Sequence, residues 1–261
     1  MSFEFHPARA PLLISVPHAG TRLDPEIEQA MTEQGRGLID TDWHVHRLVD
    51  FATDLGAGLI RANDSRYMVD LNRPPDDRPL YQQAGTGLVA TETFSGEPLY
   101  QDGHAPTRAE IEQRVERIWK PYHQQIEQEL ERLHAQHGFA ILFDAHSIAS
   151  RVPRLFDGRL PDLNLGTFDG NSCAPDLQSL VTEVLQDQNP FSHVVNGRFK
   201  GGFITRHYGR PVQGVHALQL EIAQACYMDE DQPQDWDETR AFPLKSLLRR
   251  LFETLMAWRP K

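Results

Sequence analysis

The 261-residue chain carries 26 Lys plus Arg against 37 Asp plus Glu, a formal charge of −11 with its 12 histidines neutral. That balance disfavours a nucleic-acid binder, which needs surplus cations to displace counterions. A hydrophobic fraction of 39% and a charged fraction of 24% argue against disorder, and the length suits one α/β domain over residues 1–261.

In chain order, the N-terminal stretch has one short apolar run and no long hydrophobic segment with a cleavage site, so a cytoplasmic protein is expected. Leu12 to Val16 is a continuous apolar run ending at a proline, as in a strand buried on both faces. Asp40-Thr41-Asp42 offers cap residues before a helix carrying Trp43, Leu48, Phe51, Ala52 and Leu55. Gly58 to Ala62 and Tyr67 to Leu71 read as two strands around an Asn-Asp-Ser turn. Residues 74–106 show no period and are expected as a long loop. Thr107 and Glu110 form a capping-box pair opening a helix to Leu133, bent or broken at Pro121. Phe139 to Phe143 is a second buried strand, Leu160 to Leu165 a weaker one and Asp176 to Gln186 a helix. Val215 to Ile222 alternates as a strand, and Leu244 to Trp258 closes the chain as an amphipathic helix. Strands alternating with helices predict an α/β sandwich with a mixed sheet. The two cysteines, Cys173 and Cys226, have no spacing that suggests a disulfide framework or a metal knuckle.

Sites in such sheets lie beyond the carboxyl ends of strands. His18 follows the first buried strand and His146 the second, with Asp144 two residues before it. Each histidine alone could simply close a strand end. On adjacent parallel strands, however, both would reach one metal ion. A catalytic zinc site commonly has two histidines and one carboxylate with a position left open, and Asp42 and Asp40 are the nearby acids. His44 and His46 are two apart and cannot share an ion from one helix. Glu221, flanked by Leu220 and Ile222, is costly to bury without a use, which makes it the candidate general base. Asn72-Arg73, ahead of a Pro-Pro pair, and Arg206, in the glycine-led segment GGFITRHYG, could hold substrate carboxylates. Ser147 lacks a GxSxG elbow, and no phosphate-binding glycine loop is present.

Six ordered segments, SVPHAG, DTDWHVHRL, YMVDLNRPP, LFDAHS, GGFITRHYG and HALQLEI, resemble the N-formylglutamate amidohydrolase family over about Pro11 to Glu221. The resemblance implies a metal-dependent hydrolase converting N-formyl-L-glutamate and water to formate and L-glutamate in histidine degradation. It also implies a three-layer α/β sandwich with a central mixed sheet, of the phosphorylase/hydrolase type and similar to zinc carboxypeptidases and aspartoacylases. Their order of metal histidine, acidic ligand, Asn-Arg pair, second histidine and late glutamate is matched by His18, Asp42, Asn72-Arg73, His146 and Glu221. Those enzymes carry the acid three residues after the first histidine, where this chain has Thr21, so the ligand comes from among Asp40, Asp42 and Asp144, with Asp42 the first choice.

The expected site is thus His18, Asp42 and His146 around a divalent metal, zinc first and cobalt, iron or nickel next, with Glu221 as base and Asn72, Arg73 and Arg206 on a small-molecule substrate. Alternatives are a deacylase of another N-acyl acidic amino acid, or a protein that binds an acidic metabolite without turning it over.

Overall fold

In the computed structural model, described for residues 1–78, 87–187 and 190–261, the first buried run is strand β2, Leu12–Val16. It lies inside a seven-stranded sheet with β1 Phe3–His6, β3 Gly58–Ala62, β4 Ala140–Ile148, β5 Leu163–Gly166, β6 His193–Val195 and β7 Val215–Ala223. The order is β1-β3-β2-β4-β7-β5-β6. β3, β2, β4 and β7 run parallel, while β1 and β5 join them antiparallel, so the sheet is mixed. The apolar runs of β2 and β4 are buried along their whole length, as expected for strands covered on both faces.

Period-two alternation divides the core. Leu12, Ile14, Phe143 and Leu220 face the helices Pro175–Gln186 and Glu238–Ala257. Leu13, Leu142 and Ala217 face Tyr122, Ile126, Leu130 and Leu133 of the helix Lys120–His137 and Ile204 of the helix Phe203–Tyr208. Among the described residues no helix is long and apolar enough to cross a membrane.

Several expectations shift. Tyr67 to Leu71 is not a strand: the place beside β3 is taken by β1, and the buried Tyr67, Met68, Val69 and Leu71 are accommodated in turns. The helix expected after Asp42 is two single turns, Val45–Leu48 and Ala52–Leu55. The Thr107–Glu110 capping box is present, but the helix it opens continues without a break through a π turn, Val115–Trp119, into Lys120–His137. That wider turn accommodates Pro121, whose ring would otherwise meet the carbonyl four residues back. The last helix begins at Glu238, six residues before Leu244, because Asp237 caps it by accepting from the Arg240 amide. GGFITRHYG, read as a loop, contains the helix Phe203–Tyr208. Part of the long loop expected over 74–106 lies outside the described residues.

Candidate active site

Register brings the chemistry together. Ser15 pairs with Asp144 across β2 and β4, and Asp144 and His146 pair with Gln219 and Glu221 across β4 and β7. All five side chains share one face of the sheet at its carboxyl edge. His18 lies just past β2, and its carbonyl accepts from the Asp42 amide, which ties the Asp40–Asp42 loop to the strand exit.

His18, Asp42 and His146 are 3%, 1% and 3% exposed, and one donor atom from each lies within 4.8 Å of the others. Asp42 Oδ2 is 2.9 Å from His146 Nδ1 and 3.7 Å from His18 Nδ1. The remaining nitrogens face carboxylates: His18 Nε2 is 2.8 Å from Asp70 Oδ1, and His146 Nε2 is 2.9 Å from Asp144 Oδ2. Each imidazole is therefore braced from behind by an acid, the arrangement that fixes ring orientation in metal-binding histidines. Arg66 spans the cluster, with Nη1 3.2 Å from Asp42 Oδ1 and Nη2 2.9 Å from Asp70 Oδ2.

The donors fit a divalent cation. Among the described residues the buried His18 Nδ1 has no hydrogen-bond partner and is turned toward Asp42, a cost unless something occupies the gap. Three buried carboxylates, Asp42, Asp70 and Asp144, crowd the two histidines, and Arg66 pairs with only the first two, a concentration of negative charge that an ion would neutralise. Electrostatics register the same surplus. Burial works to raise the Asp42 carboxyl, but the His146 hydrogen bond and the His18, His146 and Arg66 charges outweigh it and hold it low. Burial likewise opposes a charge on His146, yet Asp144 and Asp42 push its pKa well above the histidine value. Burial and Arg66 lower His18.

Glu221 sits on the central strand β7, not at an edge, and is 7% exposed. Burial pushes its carboxyl up to about 7. Its hydrogen-bond partner is Gln219, whose Nε2 is 3.1 Å from Glu221 Oε2 and whose Oε1 accepts from the Gly202 amide at 2.8 Å. Asn72 reaches into the same cluster, with Nδ2 3.1 Å from Asp144 Oδ2 and 2.9 Å from His146 Nε2, while its Oδ1 accepts from the Ile204 amide.

Over this floor lies a cleft of about 640 Å³, mouth included, lined by His18, Asn72, Arg73, His146 and Glu221 among the expected residues. Arg66, Asp70, Gln219, Arg198 and Phe199 line it as well; none of them is among the site residues expected from the sequence. Arg206 is not among the lining residues: its Nε donates to the Gly201 carbonyl and its guanidinium sits 4.7 Å over the Phe168 ring. Asp40 does not join the cluster of metal-type donors; its carboxylate accepts from the Phe94 amide. Asp144 braces His146 from behind and accepts from Ser15 at 2.9 Å. His44 bonds the Pro233 carbonyl and, like His46, is absent from the cleft lining.

The chain is similar to known proteins along nearly its whole length. Residues 10–228 match the N-formylglutamate amidohydrolase family. Proteins named N-formylglutamate deformylase from Pseudomonas putida and Pseudomonas aeruginosa are 52% and 53% identical over 254 residues, 97% of this chain and 95% and 96% of theirs. Among solved structures, the N-formylglutamate amidohydrolase of Ralstonia eutropha JMP134 aligns with a TM-score of 0.82 at 27% identity, covering 97% of both chains. A gene product of Agrobacterium tumefaciens aligns at 0.71 with 15% identity, covering 97% of this chain and 94% of that one, which speaks to the fold alone. The chain belongs to the N-formylglutamate amidohydrolase family.

Proposed function

We infer that this chain is an N-formylglutamate deformylase, hydrolysing the formyl amide of N-formyl-L-glutamate to formate and L-glutamate as a cytoplasmic step of histidine degradation. The observation that carries the reading is the buried His18–Asp42–His146 group beside the buried carboxyl of Glu221. We read residues 1–261 as one domain of the three-layer, zinc carboxypeptidase-like sandwich type, with helices on both faces of the sheet in support.

His18 Nδ1, Asp42 and His146 Nδ1 would hold one divalent ion, with zinc the first choice and cobalt, iron and nickel next. When bound, such an ion acidifies water toward a pKa of ~7 and polarises a carbonyl. Glu221 takes the proton of the attacking water; as the new C–O bond forms and the C–N bond breaks, it returns a proton to the departing nitrogen. Gln219 holds one Glu221 oxygen, and Glu221 itself lines the cleft. Arg73 and Arg198, both lining the cleft, supply two cations for the two carboxylates of the substrate. Arg206, first assigned to that task, would act from behind the Gly201 turn.

The test is formate release from N-formyl-L-glutamate before and after chelation, with zinc or cobalt restored and N-acetyl-L-aspartate run in parallel. Formate that stops on chelation and returns with metal is the expected result. Release untouched by complete metal removal would overturn the metal assignment, and turnover of the acetyl substrate alone would overturn the substrate. Binding of either compound without product would make the chain a binder. Glu221→Gln should keep metal while kcat falls about 10²–10⁴-fold; normal turnover would remove Glu221 as the base.

A further inference from the structure

The helix that follows the π turn has a task beyond covering the sheet. Trp119 and His123 lie four residues apart, one helical turn, and their rings stack with centroids 3.7 Å apart and planes 24° apart. Trp119 Nε1 donates to the Arg73 carbonyl at 2.9 Å, and His123 Nε2 bonds the Leu71 carbonyl at 2.9 Å. Those carbonyls belong to turns, so they lack ladder partners, and two rigid rings from a segment about fifty residues away satisfy them. A carbonyl only accepts, so Nε2 of His123 carries the proton and Nδ1 accepts from the Tyr208 hydroxyl 2.9 Å away, whose one proton is shared with the His123 carbonyl at 3.1 Å. Tyr208 closes the helix whose Ile204 amide bonds Asn72 Oδ1. Asn72, between the two clamped carbonyls, touches Asp144 and His146, and Arg73 lines the cleft.

We propose that Trp119 and His123 are positioning residues that clamp the Leu71–Arg73 backbone from behind and so set the reach of Arg73 to the substrate carboxylate. The π turn Val115–Trp119 ends at the first member of the pair and adds a residue to the helical register there, which aims both rings at the loop. Pro74 and Pro75 restrain the exit of the same loop, which leaves the Arg73 backbone held on both sides. The inference rests on the function above for the identity of the substrate, and on hydrogen bonds alone for the clamp.

Trp119→Phe keeps the ring and deletes the donor; His123→Leu deletes the second donor, and His123→Gln restores an amide N–H near Nε2. The expected result is KM for N-formyl-L-glutamate raised about three- to tenfold by Trp119→Phe and by His123→Leu, the weight of one neutral hydrogen bond, with metal content unchanged. His123→Gln should return to within about twofold of wild type. On an Arg73→Ala background, Trp119→Phe should change kcat/KM by less than about twofold, because its effect passes through Arg73. Mere loss of folded protein would lower kcat per mole and leave KM alone. Amide hydrogen exchange at Asn72 and Arg73, which needs no substrate, should accelerate about tenfold in Trp119→Phe. Unchanged exchange there, KM raised less than threefold in both donor-deleted variants, or an undiminished effect on the Arg73→Ala background overturns the clamp. A wild-type protein that releases no formate overturns the function instead and leaves exchange to decide the clamp.

Discussion

Gly202 is the point at which one methyl group should damage both stability and catalysis. A Cβ added there would lie 2.5 Å from both Cγ and Oδ1 of Asn72. Ordinary carbon contacts begin near 3.5 Å, so the amide or the Gly202 backbone must move by about 1 Å. Neither can move alone. The Asn72 amide bonds Asp144, His146 and the Ile204 N–H, and the Gly202 N–H bonds Gln219, which holds Glu221. Overpacking of ~1–3 kcal/mol plus one or two weakened hydrogen bonds at ~1 kcal/mol each gives a loss of about 2–5 kcal/mol for Gly202→Ala. A displacement of about 1 Å in groups that flank the candidate base and the metal histidine should lower kcat/KM about 10²-fold. Urea unfolding followed by fluorescence reads the first quantity, and formate release at fixed metal loading reads the second. A Gly202→Ala protein within 0.5 kcal/mol and threefold of wild type would show that Asn72 and Gln219 are not held against this backbone, and the site described above would be misbuilt.

Three further outcomes follow from single contacts. Asp70→Asn leaves His18 without its carboxylate brace and should weaken metal about 10–100-fold in chelator competition; unchanged affinity would remove Asp70 from the site's support. Thr107→Ala deletes the reciprocal cap of the helix Arg108–Arg114 and should cost about 1 kcal/mol in denaturant unfolding without changing KM, since this cap lies outside the cleft lining. Burial holds the His123 pKa down at about 3, against an ordinary 6.5, so the folded protein keeps it neutral where the unfolded chain protonates it. Its contribution is therefore present above pH 6.5 and is lost as pH falls toward 3, at ~1.4 kcal/mol per pH unit; His123→Gln should flatten the acid limb of the stability profile by that slope, and an equal slope in both proteins would refute it.

The parts of the site that could be read from the chain are those where a local pattern coincides with a strand end. PLLISVPH and FAILFDAH announce themselves because a largely apolar run stops at a polar residue, and both runs are central strands, with His18 just past β2 and His146 within the longer β4. Arg66 and Asp70 escaped because their role depends on tertiary neighbours: Arg66 pairs with Asp42, and Asp70 with His18. One local sign did exist, since Asp70 interrupts an apolar run and stands four residues after an arginine. The same run, YMVDL, was mistaken for a strand because burial alone does not distinguish a ladder from a buried turn. The segment around Arg206 differs for a related reason: two glycines suggest a loop, whereas they lead into a helix that sets this guanidinium over Phe168.

A finer signal was present within the strands themselves. On one face of β4, Ala140 and Leu142 are followed by Asp144 and His146; on the same face of β7, Ala217 is followed by Gln219 and Glu221; on β2, Leu13 is followed by Ser15. Each strand changes from apolar to polar on one face while the other face is mainly apolar, with Phe143, Ala145, Leu220 and Ile222 packed in the opposite core and Ser147 and His216 its buried polar members. Burying so many polar groups is unfavourable unless they satisfy one another, so strands with this pattern stabilise the fold only when set side by side in register. The period-two polarity switch therefore marks both the site and the pairing of β2, β4 and β7. β5, which lies between β4 and β7 in sequence, extends the same pattern from the far side: it joins β7 antiparallel, with Leu163 and Leu165 in the apolar core and the buried Asn164 opposite Glu221. The polar residues that build the candidate catalytic floor are in this sense also the residues that select its strand order.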